Sequence, residues 1–118
     1  MNILVVDDER MPLEYLMRMV NQVIPDANAA GFIKPSEALE YAGKNHIDLA
    51  FLDIEVGGMN GLQLAGLLKD IHGDIRIVFT TGYSEYEADV YAEHASGFLT
   101  KPISADAISE VMTGISPE

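Results

Sequence analysis

Ile3-Leu4-Val5-Val6-Asp7-Asp8-Glu9 is the stretch whose reading decides the fold: a short apolar run rich in β-branched residues stops abruptly against three consecutive acids. An apolar run without alternation is the signature of a strand buried on both faces, as in parallel sheets covered by helices on each side. The strand therefore ends near Asp7, and its end is charged. Downstream, Leu13, Leu16, Met17, Val20 and Ile24 recur at three- and four-residue steps, and Pro12 suits a first helical turn, where its missing N–H is no loss. A strand followed by a helix is the first unit.

The same alternation continues along the chain. Ala29 to Ile33 reads as a weak strand before a helix at Leu39 and Ala42, and Leu49-Ala50-Phe51-Leu52 precedes a helix carrying Leu64, Leu67, Leu68 and Ile71, with Asn60 as its cap. Ile75 to Phe79 is a fourth strand, and Ser84-Glu85-Tyr86-Glu87 has the form of a capping box opening a fourth helix. Gly97-Phe98-Leu99 is a brief fifth strand. Ser104 caps a last helix with Ile108, Val111, Met112 and Ile115 on one face, ending near Gly114. Five such units predict an α/β fold, a doubly wound five-stranded parallel sheet with five helices, because parallel strands need crossovers and these are right-handed.

Composition bounds the function. The 118 residues are the size of one domain, and 48% hydrophobic content is enough for a packed core. Nineteen Asp and Glu against seven Lys and Arg give a net charge of −12, which repels a phosphate backbone, so no direct nucleic-acid binding is expected. The absence of cysteine excludes disulfides and thiolate metal sites. No apolar run approaches the roughly 20 residues of a membrane-spanning helix, and no signal-peptide pattern opens the chain, so a soluble cytoplasmic protein without membrane association is expected.

In an open α/β sheet the ligand site lies at the carboxyl ends of the strands. The residues there are Asp7 and Asp8 after the first strand, Asp53 after the third, Thr80-Thr81-Gly82 after the fourth and Lys101-Pro102 after the fifth. Adjacent carboxylates raise one another's pKa unless a cation sits among them, and an oxygen-only donor set favours Mg²⁺, with Mn²⁺ or Ca²⁺ as alternatives, over zinc. Lys101, a flexible point cation, suits a phosphoryl oxygen beside the metal. The constellation reads as phosphoryl transfer. Asp7-Asp8 alone would equally serve as a turn or helix cap, Phe98 as an ordinary core aromatic, and Thr80 competes with Thr81 until the strand register is known. His46, His72 and His94 read as dispersed, solvated surface residues.

Val5-Val6-Asp7-Asp8-Glu9, Leu52-Asp53, Met59-Asn60-Gly61, Thr81-Gly82 and Gly97-Phe98 through Lys101-Pro102 form an ordered set that resembles a response-regulator receiver domain over residues 2 to 116. The Phe79 to Tyr86 stretch further resembles receivers that precede LytTR-type DNA-binding domains. The resemblance implies a flavodoxin-like (βα)5 receiver: a single domain over 1–118, with no output domain in this chain and no turnover as an enzyme. It implies that Asp53 is the nucleophile, taking a phosphoryl group from a sensor histidine kinase or phosphotransfer protein. Mg²⁺ is then held by Asp8, Asp53 and the Glu55 carbonyl, with Asp7 acting mostly through water. Lys101, the Thr81 hydroxyl and the Gly82 N–H contact phosphoryl oxygens. Thr81 and Phe98 are the implied switch pair, reshaping helix four, strand five and helix five for a partner or for a homodimer formed on phosphorylation. The resemblance also implies a cis Lys101-Pro102 bond. A haloacid-dehalogenase-like phosphatase is a competing class, but its nucleophile follows the first strand rather than the third.

Overall fold

A computed structural model of the chain describes residues 1–56, 59–82 and 95–115, apart from the side chains of residues 55, 56 and 115. Its elements run β1 (Asn2–Val6), α1 (Arg10–Val23), β2 (Asn28–Phe32), α2 (Pro35–Lys44), β3 (Leu49–Asp53), β4 (Glu55–Val56), β5 (Met59–Asn60), α3 (Gly61–Ile71), β6 (Arg76–Thr81), β7 (Gly97–Thr100) and α4 (Ala105–Ile115). Five strands pair in parallel in the order β2-β1-β3-β6-β7. From β1 the chain steps outward to β2, then returns across β1 to β3. The crossing direction reverses there, and right-handed crossovers put α1 on one face and α2 and α3 on the other.

Strand alternation sorts the core into two layers. Ile3, Val5, Leu49, Phe51, Val78 and Leu99 meet Leu13, Leu16 and Val20 of α1 and Ile108 of α4. Leu4, Val6, Ala50, Leu52, Ile77 and Phe79 meet Ala38 and Ala42 of α2 and Leu64, Ala65 and Leu68 of α3. Burial on both sides explains the unbroken apolar runs of β1 and β3. Each buried Val, Leu, Ile or Phe side chain contributes roughly 1.5–3 kcal/mol relative to exposure, so Phe51 and Phe79 anchor their layers.

Local signals placed the helix starts. Asn60 accepts from Gln63 N at 2.8 Å while Gln63 Oε1 accepts from Asn60 N at 3.2 Å, a complete capping box at α3. Ser104 Oγ accepts from Ala107 N at 3.1 Å at the start of α4. Four features differ from expectation. β6 runs to Thr81, two residues past the expected end at Phe79, so Thr80 and Thr81 lie within the strand. β2 begins one residue early, at Asn28, as an edge strand with weak patterning can. Leu67 and Ile71, grouped by spacing with Leu64, are 42% and 41% exposed because the buried stripe of α3 runs through Ala65 instead. A small antiparallel ribbon, Val56 opposite Met59, joins β3 to α3. The fourth helix expected from Ser84 lies outside the described residues.

Candidate functional site

Asp7 continues the line of β1, its N–H donating to Phe32 O at 3.2 Å, and Asp53 is the last residue of β3. β1 and β3 are sheet neighbours at the point where the strand order reverses, so the two acids flank the crevice such sheets use for ligands. Alternation along the strands aims Asp7, Asp53, Thr80 and Lys101 at the α1 face, in line with Val5, Phe51, Val78 and Leu99. Lys101 extends β7, its N–H donating to Thr81 O at 2.6 Å, and the Lys101-Pro102 bond is cis as expected.

These placements bring the charges together. Lys101 Nζ donates to Asp7 Oδ2 and to Asp53 Oδ2, both at 3.0 Å. Asp7 is 1% exposed and Asp53 9%, whereas Asp8 is exposed. The second oxygen of Asp7, Oδ1, accepts from Glu9 N at 3.0 Å, so Asp7 also acts as the turn acid that sequence alone allowed. Burial by itself would depress the Lys101 ammonium. Hydrogen bonds to Asp53 and Asp7, and their charges, outweigh it and hold Lys101 above the usual lysine range.

Asp7, Asp8 and Asp53 each offer a carboxylate oxygen, and these oxygens lie within 4.8 Å of one another. An all-oxygen donor set of three carboxylates faced by one ammonium fits a hard divalent cation, Mg²⁺ first among them, better than zinc. The side chain of Glu55 lies outside the described residues, and its backbone forms part of β4.

Register separates the two threonines. Thr80 stands opposite Asp53, while Thr81 stands opposite Thr100, on the other face with Phe79 and Phe98. Phe98 packs on Phe79 with ring centroids 6.1 Å apart and planes inclined by 53°. Thr81 is buried and Gly82 exposed at the strand end. Gly61 carries a constraint that its motif did not reveal. A Cβ there would lie 2.6 Å from Asp53 O, and its N–H donates to Ile54 O at 2.5 Å, so only glycine lets α3 start directly beneath Asp53. A groove of about 460 Å³, lined by Met11, Pro12, Tyr15, Leu16, Pro102 and Ile103, opens beside Asp7 and Lys101.

His46 is exposed as expected, but it and His72 are not dispersed. His46 and His72 meet edge to face with centroids 5.2 Å apart, because helices that follow parallel strands return their carboxyl ends to the sheet's amino-terminal edge. His94 lies outside the described residues. Among the described residues no helix is long and apolar enough to cross a membrane.

Comparison with known proteins gives concordant matches. A family model described as "Response regulator receiver domain" matches residues 3–113. The chain is 34% identical over 119 residues to the transcriptional regulatory protein BtsR of Escherichia coli, covering 98% of this chain and 48% of that protein. It is 32% identical over 115 residues to the sensory transduction protein LytT of Bacillus subtilis, covering 95% of this chain and 46% of that protein, in line with the subfamily expected from Phe79 to Tyr86. The chain thus spans about half the length of these curated relatives. Among solved structures, the response regulator protein TrrA of Thermotoga maritima, in complex with Mg²⁺ and a beryllium fluoride, is 30% identical with a TM-score of 0.81, covering 95% of this chain and 96% of that one. A receiver domain from Clostridium thermocellum, at 22% identity and a TM-score of 0.82, covering 95% of this chain and 90% of that one, shares the fold.

Proposed function

The chain belongs to the response-regulator receiver family, and from that membership we propose that Asp53 is the residue that accepts the phosphoryl group, from a phosphohistidine on a sensor kinase or phosphotransfer protein. The observation that carries this reading is the single ammonium of Lys101 shared between Asp7 and Asp53 at the switch point of the sheet. An Asp53 oxygen attacks phosphorus, the P–N bond to the donor imidazole breaks, and the imidazole nitrogen keeps the electron pair and takes a proton from water. Lys101 follows the negative charge onto a phosphoryl oxygen, and the Thr81 hydroxyl and Gly82 N–H bind another. Asp8, Asp53 and the Glu55 carbonyl would hold Mg²⁺, with Asp7 beside them. When bound, the ion neutralises charge on the phosphoryl oxygens.

Thr81 and Phe98 share one face of neighbouring strands, which supports a switch in which Thr81 moves toward the phosphoryl group and Phe98 turns inward behind it. The surface so changed spans β7 and α4 and reads out to a protein partner or a second copy of the chain. The groove beside Lys101, with Met11 81% and Tyr15 38% exposed on α1, gives the donor protein an apolar seat next to Asp53. We assign the chain a signalling role without turnover of a substrate, in the cytoplasm, serving transcription regulation. Intact-mass measurement after incubation with Mg²⁺ and a small acyl-phosphate donor tests this. One added phosphoryl group in the wild type and none in Asp53→Asn is expected; no gain, or an equal gain in both, rejects it.

A further inference from the structure

Thr80 lies in the wall of this site without a task in the transfer just described. It is fully buried, and its Oγ1 has no hydrogen-bond partner among the described residues. Its register neighbours are Asp53 on β3 and Leu99 on β7, and its carbonyl accepts from Ile54 N at 3.0 Å, which ties β6 to the residue following Asp53. Adjacent strands run about 4.8 Å apart, so a hydroxyl and a carboxylate at paired positions on one face come within reach by a single χ1 step. That step turns Cβ by about 120°, from one staggered position to the next. A valine would fill the same space without burying an unpaired hydroxyl, so the hydroxyl is held here at a loss of stability.

Resting on the phosphoryl-acceptor reading above, we propose that Thr80 is a positioning residue for Asp53, its hydroxyl taking over the Asp53 oxygen that Lys101 releases when Lys101 turns to the phosphoryl group. In hydrolysis a water oxygen bonds to phosphorus and the bond from Asp53 to phosphorus breaks. The electron pair stays on the carboxylate, and the water proton passes to solvent. Negative charge grows on both Asp53 oxygens in that step. A donor on one of them is stronger in the transition state than in the acyl phosphate, so the Thr80 hydroxyl shortens the life of the phosphoryl group.

The test compares Thr80→Val, Thr80→Ser and Asp53→Asn with the wild type. Each is loaded with a small acyl-phosphate donor and Mg²⁺, and the mass of the phosphorylated form is followed after the donor is removed. Thermal unfolding is recorded in parallel. Thr80→Val is expected to keep its phosphoryl group about three- to tenfold longer, the range of one hydrogen bond, and to melt higher than the wild type. Thr80→Ser, which keeps the hydroxyl, is expected to decay at the wild-type rate. Normal loading of Thr80→Val with wild-type decay, equally slow decay in Thr80→Ser, or a lower melting temperature for Thr80→Val overturns the role of Thr80 alone. A wild type that takes no phosphoryl group, or an Asp53→Asn variant that does, overturns the underlying reading with it.

Discussion

At the amino-terminal edge of the sheet Asp48 accepts from Asn2 N at 2.7 Å and from His46 Nε2 at 3.1 Å, and Asn2 Nδ2 donates to His46 O at 2.9 Å. His72 Nε2 lies 2.8 Å from Ala42 O and from Asn45 O, closing the end of α2. At the carboxyl-terminal edge carboxylate oxygens of Asp7, Asp8 and Asp53 crowd within 4.8 Å, and Asp7 and Asp53 share Lys101. One edge matches its acid Asp48 with donors of its own; the other gathers three acids around one ammonium. The first arrangement holds strands and helices in place. The second leaves an excess of acid that a divalent cation would offset, and charge arrangements of that kind concentrate where function lies.

Removing Lys101 presses hardest on this contrast. Lys101→Ala should slow phosphoryl uptake roughly a hundredfold. Without Mg²⁺ it should destabilise the fold by roughly 2–4 kcal/mol, since Asp7 is 1% exposed and is left without that partner, while the 26% exposure of the lysine keeps the loss below that of a fully buried pair. The pH profile carries a sign. Because the folded state raises the Lys101 pKa, its stabilisation is complete below the ordinary lysine value of about 10.4 and is lost as pH rises through the higher folded value. Alkaline melts of the variant should lack that limb.

Gly61→Ala tests the packing beneath the acid cluster. With Asp53 O only 2.6 Å from the new Cβ, the variant should lose about 1–3 kcal/mol in denaturant unfolding and load phosphoryl groups more slowly. Asp8→Ala should weaken Mg²⁺ binding in an NMR titration more than Asp7→Ala does. Its sign should invert with the metal: in chelator, losing one of three crowded acids leaves stability unchanged or higher by about 0.5 kcal/mol. At the opposite edge Asp48→Asn should cost about 0.5 kcal/mol or less, because the side chain is 39% exposed. The Asn2 N–H lowers the Asp48 pKa most, burial opposes it, and the His46 charge and hydrogen bond add to the lowering. Its contribution is therefore present above about pH 4 and fades as pH falls through the lower folded value.

The carboxyl-terminal edge was legible in sequence because each acid directly follows an apolar run, and a parallel sheet brings such run-ends to one side. Asp7, Asp8, Asp53 and Lys101 were found in that way, and the structure brings them together. The Thr80 and Thr81 assignment waited on register, which no local pattern encodes when a strand is buried on both faces. Leu67 and Ile71 were misplaced because alanine at 65 carries the buried stripe of α3 with little hydrophobic signal of its own. The β4–β5 ribbon had a signal that went unused, the Gly57-Gly58 dipeptide flanked by Val56 and Met59. The His46–His72 contact joins residues whose proximity depends on two helix lengths, and single-sequence spacing does not carry that.

Reductive trapping measures directly whether Asp53 is the acceptor. Hydride reduction converts an aspartyl phosphate to homoserine, and peptide mapping by mass spectrometry then locates it. After loading with donor and Mg²⁺, homoserine is expected at position 53 and nowhere else, with none formed when Mg²⁺ is chelated. Homoserine at position 7, 8 or any other acid, or none at position 53 in loaded protein, would contradict that assignment.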